Sequence, residues 1–125
     1  MLIRALPLFS SLSPSIQEGL AQRLVTLTVP AETIVIRQGD IGDRFYLIED
    51  GRLDAMAGDR LLSIMEAGDC FGEIALLRDI PRTATVVARE DSVLQALSRA
   101  DFLNAIGTDH QTALRAEALV NRRFA

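Results

Sequence analysis

At 125 residues the chain is short enough for one domain and long enough to bury one core. It is 49% hydrophobic and 24% charged, with a net charge of −4, which argues against disorder and against a basic nucleic-acid binder. No apolar run approaches the roughly 20 residues of a membrane span, so a membrane segment is not expected.

One cysteine, Cys70, excludes an internal disulfide and any four-thiolate metal or iron–sulfur site. One histidine, His110, argues against a metal enzyme built on several imidazoles. The opening "MLIRALPLF" is too short, and too soon followed by a helix start, for a secretory signal. A cytoplasmic protein with no metal and no cofactor is the expectation.

Residues 2 to 9 read as a short helical lead-in ending near Pro7. "SLSPSIQEGLAQRL" follows as a helix, with Ser13 as N-cap and Pro14 in the first helical position. Ile16, Leu20 and Leu24 recur four apart and form one apolar stripe.

At Val25 the period changes to two. "VTLTVP" alternates Val25, Leu27 and Val29 with threonines, the pattern of a half-buried strand. "TIVIRQGD" carries Ile34 and Ile36 and stops at Gly39-Asp40. "RFYLIED" and "RLDAMA" flank Asp50-Gly51, a dipeptide expected to close a tight hairpin, and "RLLSIM" follows another Gly-Asp pair. "TATVVA" and "SVLQALS" complete about seven short strands, which points to an antiparallel sandwich or roll. The acidic turn "QGDIGD" lacks the spaced carboxylates and closing glutamate of a calcium loop and reads as a simple turn.

Two helices end the chain. "SRADFLNAIG" has Ser98 as cap and Gly107 as stop, and "DHQTALRAEALVNRRF" starts at Asp109 with Ala113, Ala116, Val120 and Phe124 along one face. The sequence leaves three uses open for that face: core, dimer seam or lid. Arg122, Arg123 and Phe124 are candidates for stacking over a purine. His110 is expected to be exposed, and Cys70 to pack beside Phe71.

The chemistry concentrates in "FGEIALLRDIPRTAT", residues 71–85. Gly72 permits close backbone approach, and the one-turn helix from Glu73 to Leu77 begins with backbone N–H groups that favour an anion. Arg82 returns after the Asp79–Pro81 turn and can offer a guanidinium to the same anion; the plain alternative is a surface ion pair with Asp79. Glu73 would repel that anion, so it should face a donor such as a sugar hydroxyl. Leu76 and Leu77, and the side chain of Ile74, read as core; Ala75 is small enough to let a ligand approach. The segment suits a phosphorylated sugar.

"FGEIALLRDIPRTATVVA" closely resembles the phosphate-binding cassette of cyclic nucleotide-binding domains. The resemblance extends to "LPLFSSLS", to "IRQGDIGDRFYLIEDGRL" in residues 36–53, to "EAGDCFGE" and to "FLNAI". It implies a mainly β fold with flanking helices: an antiparallel eight-stranded, jelly-roll-like β-roll (double-stranded β-helix). N-terminal helices would occupy 1–24, the roll 25–98 and C-terminal lid helices 99–125, all one domain over 1–125.

It also implies roles. Arg82 would bind the exocyclic phosphate oxygens and Glu73 the ribose 2′-hydroxyl. Gly72 and the amides of Ile74 and Ala75 would line phosphate and sugar, and Thr83 would lie near phosphate and base. The implied function is a non-catalytic regulatory module that binds a cyclic nucleotide, cAMP favoured over cGMP, and signals through its C-terminal helix. Partners would be a larger regulated protein or a second copy, with no direct nucleic-acid binding. Two alternatives are the effector part of a catabolite-activator-type transcription factor and a scaffold that has lost its ligand. One departure stands out: Glu32 occupies a turn position where the family usually has glycine.

Overall fold

A computed structural model describes Ile3 and residues 6–124, the side chains as far as Val120. Ile3 is helical, the rest of the expected lead-in before Leu6 lies outside the described residues, and Pro7–Phe9 form a single 3₁₀ turn with proline at its start. Helix α1, Pro14–Arg23, begins as its sequence predicts: the Ser13 hydroxyl accepts from Ile16 N at 3.3 Å. Leu20 is buried, Ile16 and Leu24 pack half-buried beside it, and Gln17 donates to the Phe9 carbonyl at 2.9 Å.

Eight strands follow among the described residues: β1 Val25–Val29, β2 Ile34–Ile36, β3 Arg44–Asp50, β4 Arg52–Ala57, β5 Arg60–Glu66, β6 Cys70–Phe71, β7 Thr85–Ala88 and β8 Ser92–Ser98. They form two four-stranded sheets, in the orders β1-β8-β3-β6 and β2-β7-β4-β5, with every pair antiparallel. The architecture is therefore the mainly β, eight-stranded roll that the cassette implies, with helices at both ends. No helix among the described residues is long and apolar enough to cross a membrane.

Strand β3 shows how the core is divided. Its alternate residues face opposite ways. Tyr46 and Ile48 join Leu53, Met65, Phe71, Val86 and Leu94 between the sheets. Phe45 and Leu47 turn outward to the helices, where Phe45 stacks on Phe102 at 4.6 Å and meets Phe9 edge-on at 5.9 Å. Burial on both faces explains why Phe45–Ile48 form a continuous, largely apolar run.

Asp50-Gly51 does not close a hairpin. β3 and β4 lie in different sheets, and the chain crosses between them at Gly51, φ 107°. The corner is tight because a Cβ on Gly51 would overlap Ser92, whose Cα would be 2.8 Å away. The two-residue hairpin is instead at Gly58-Asp59, between the paired residues Ala57 and Arg60.

Between β6 and β7 lies helix α2, Glu73–Arg78. Helix α3, Arg99–Gly107, is capped by Ser98, which accepts from Asp101 N at 3.2 Å. Helix α4, His110–Phe124, starts after Asp109, whose carboxylate accepts from Thr112 N at 3.1 Å and Thr112 Oγ1 at 2.8 Å and also from the Ser11 hydroxyl. Ala116 and Val120 are buried on its inner face, Ala113 is only half-buried, and Phe124 is outside the described side chains.

The expected strain at Glu32 is present. Its φ is 71°, a left-handed conformation that costs a non-glycine residue about 1 kcal/mol or more.

Candidate functional site

Helix α2 is entered through Gly72 at φ 95° and left through Asp79 at φ 52°, so both ends lie in left-handed backbone. Gly72 provides no side-chain cap, which leaves first-turn N–H groups for another acceptor. Asp79 accepts from Arg99 Nη2 at 2.9 Å. This settles one alternative: Asp79 is an exposed partner of Arg99, and Arg82 points elsewhere.

Arg82 points inward and is 6% exposed. Its backbone N–H donates to Asp40 O at 2.7 Å, and its carbonyl accepts from Gly39 N at 2.9 Å, tying it to the turn before β3. Its guanidinium is held at both tips: Nη1 donates to Gly72 O at 2.8 Å and Nη2 to Arg44 O at 2.8 Å. These bonds leave further N–H donors of the fork available. Burial pulls the guanidinium pKa down, while Tyr46, Asp43 and Glu73 pull it back up. The group remains charged, since an arginine loses its proton only far above neutral pH.

Glu73, the first residue of α2, is fully buried. It and Arg82 share one cavity of about 440 Å³, within the usual range for small-ligand sites. All six residues that the cassette singles out line it: Gly72, Glu73, Ile74, Ala75, Arg82 and Thr83. Ile74 is half-buried here and belongs to neither core cluster, unlike the core position its side chain suggested. Leu76 is core, and Leu77 packs against core, as expected. Thr83 is exposed at the cavity wall.

The sequence reading missed the rest of the wall. Ile36, Ala55, Leu62, Met65 and Val86 make it largely apolar, with Arg60 and Ser63 as polar additions from β5. It also missed the turn "QGDIGD", read as a plain connection, which braces Arg82 through Gly39 and Asp40. The signal was present: that turn lies inside the stretch resembling the family.

Neither Cys70 nor His110 lines the cavity. Cys70 is buried and His110 exposed. No group of three or more potential metal ligands occurs among the described residues. None of the described residues of α4 lines the cavity; the helix packs behind α2, where Arg78 meets Glu117 at 2.9 Å. Arg122, Arg123 and Phe124, the proposed stacking residues, lie outside the described side chains. What the site presents is a fixed cation and a buried carboxylate beside an apolar wall. A ligand with an anion, a hydroxyl donor and a flat apolar part would match it.

Known proteins share this fold. The family profile described as Cyclic nucleotide-binding domain matches residues 26–109, from β1 to the residue before α4. A cAMP-dependent protein kinase regulatory subunit from Aspergillus niger is 38% identical over 117 residues, covering 92% of this chain and 28% of its own length. The regulatory domain of Toxoplasma gondii PKA, solved with cAMP, superposes with a TM-score of 0.84 at 25% identity, covering 96% of this chain and 48% of that one. Thermus thermophilus Catabolite Activator Protein does so at 0.78 with 33% identity, covering 94% of this chain and 58% of that one. The chain thus spans about a quarter of the curated kinase subunit it matches. On the profile match across most of its length, the chain belongs to the cyclic nucleotide-binding domain family.

Proposed function

We propose that the cavity binds a cyclic nucleotide, cAMP in preference to cGMP, and that the chain works as a non-catalytic regulatory domain. One observation carries this reading: Arg82, fixed by two backbone carbonyls, and the buried Glu73 open onto the same cavity. Arg82 takes the exocyclic oxygens of the ring phosphate, as a fork suits a phosphate. Glu73 accepts from the ribose 2′-hydroxyl. Gly72 and the N–H groups of Ile74 and Ala75 face phosphate and sugar, Thr83 lies by phosphate and base, and the apolar wall receives the purine. The preference for cAMP is supported by the cAMP-dependent kinase subunits among its relatives and by the Toxoplasma domain solved with cAMP.

Transmission follows from α2 having two faces. Glu73, Ile74 and Ala75 face the cavity, whereas Leu76 and Leu77 pack against the helical core, and Arg78 reaches Glu117 on α4. A ligand that reorders α2 thereby shifts the position of α4, by as much as its affinity differs between the two arrangements. Residues 1–125 act as one domain in this reading, inside a larger regulated protein or paired with a second copy, in the cytoplasm.

A second reading, the ligand-binding part of a catabolite-activator-type regulator, is favoured by the 33% identity to the Thermus protein. It calls for the same ligand and differs in what α4 drives. This chain alone should then leave random duplex DNA unshifted in a gel titration at low salt.

Thermal-shift measurement with cAMP, cGMP and 5′-AMP tests the main reading. Stabilisation by cAMP above cGMP, and none by 5′-AMP, is expected, because binding to the folded state raises Tm by mass action. No shift with either cyclic compound would overturn it.

A further inference from the structure

The guanidinium of Arg82 lies in a slot between two glycines that are distant in sequence. A Cβ on Gly72 would come within 2.9 Å of Nη1, and a Cβ on Gly42 within 3.1 Å of Cζ and Nε. The Cβ on Gly42 would also stand 2.7 Å from Ala75 Cβ, closer than packed carbons approach. The two glycines differ in kind. Gly72 has φ 95°, so any side chain there adds backbone strain to bulk. Gly42 is not among the positive-φ residues, so what the site demands of it is space.

We propose that Gly42 is a positioning residue for the ligand's anion: its missing side chain lets the turn before β3 close onto Arg82 and aims the fork into the cavity. The inference rests on the cyclic-nucleotide reading of this site. The backbone of Arg82 is bonded at both its N–H and its carbonyl to Gly39 and Asp40 of that same turn. A methyl at position 42 therefore cannot be accommodated by moving the whole arginine away. The turn carries the arginine with it, and the displacement falls on the guanidinium and on Ala75. Both sit at the cavity wall, so the cost appears in ligand binding.

The test compares wild type, Gly42→Ala and Gly42→Ala/Ala75→Gly. The double variant removes the 2.7 Å collision and leaves the contact with the guanidinium, and thermal unfolding of all three proteins separates a loss of fold from a loss of binding. Two further quantities are read: cAMP affinity by calorimetry, and the Arg82 Nε–Hε resonance by NMR without ligand. Gly42→Ala should weaken binding about tenfold or more, the scale of a lost charged hydrogen bond, and shift the Arg82 resonance. The double variant should recover part of the affinity and move the resonance back toward wild type. Weakened binding with an unmoved Arg82 resonance, or wild-type binding by Gly42→Ala, overturns the proposal. Should wild type bind neither cAMP nor cGMP, the ligand reading falls and the Gly42 proposal with it, whereas an unmoved resonance beside normal wild-type binding overturns Gly42 alone.

Discussion

Arg78 Nη1 stands 2.9 Å from the Glu117 carboxylate and so joins the helix that lines the cavity to the helix that ends the fold. The pair is partly exposed, at 35% and 49%, so its stabilising effect is about 0.2–1 kcal/mol. Glu117→Gln should lower Tm by no more than about 4 °C. The link favours the arrangement of α2 and α4 seen here, so it opposes the shift of α4 proposed on ligand binding. Weakening it should tighten cAMP binding by up to about fivefold. Calorimetry decides: unchanged or weaker binding would count against transmission through α4.

The cassette was legible because its chemistry is local. Gly72, Glu73 and Arg82 lie within one short segment whose residue types fit one ligand, and the structure places all three on one cavity. The caps were equally readable, since Ser13 and Ser98 act on N–H groups three residues away. What sequence could not give was decided by contacts between distant segments. Asp50-Gly51 has the local chemistry of a hairpin, but Ser92 packs against Gly51 and the chain changes sheets there. Gly42 looks like any turn glycine until Ala75 and Arg82 are folded against it. Arg60 and Ser63 reach the site only because β5 pairs with β4 beside it.

Glu32 offers a stability test away from the site. It holds φ 71° while its carboxylate accepts from Arg89 Nη1 at 2.9 Å, and its side chain is 69% exposed. Glycine at this position removes a strain of about 1–2 kcal/mol and loses an exposed ion pair of about 0–1 kcal/mol. Glycine also frees the unfolded chain by about 0.4–1 kcal/mol, so Glu32→Gly should shift stability by no more than about 1.5 kcal/mol, with ligand affinity unchanged. Urea unfolding measures it, and a larger loss of stability would mean that the Arg89 link outweighs the strain.

Asp109 makes the last helix sensitive to acid. Hydrogen bonds from Ser11 and Thr112 hold its carboxyl below the ordinary value of 3.8. A pKa depressed in the folded state contributes stability that is complete above the unfolded value and is lost as pH falls through the folded one. Unfolding between about pH 5 and 2 should thus be shallower in Asp109→Asn than in wild type. Identical acid limbs for the two proteins would refute it.

Arg82→Ala removes the cation and both carbonyl bonds, and cAMP affinity should fall by at least tenfold, the equivalent of about 1.5–3 kcal/mol. Arg82→Lys is the sharper variant. A lysine keeps the charge but cannot donate to Gly72 O and Arg44 O while also presenting a planar fork. It should recover only part of the loss. Full recovery by lysine would mean that charge alone matters, and the two-carbonyl brace would lose its functional meaning.

Glu73 separates the sugar from the phosphate. If its carboxylate accepts from the ribose 2′-hydroxyl, wild type should bind 2′-deoxy-cAMP about tenfold or more weakly than cAMP. Glu73→Gln exchanges the charged acceptor for a weaker neutral one and should narrow that gap to a few-fold, mainly by weakening cAMP binding. The loss on removing the hydroxyl and the loss on changing the carboxylate are then strongly non-additive, as expected for two groups in direct contact. Four calorimetric titrations complete the cycle. Additive losses would place the hydroxyl elsewhere in the cavity and leave Glu73, fully buried at the start of α2, with a structural role.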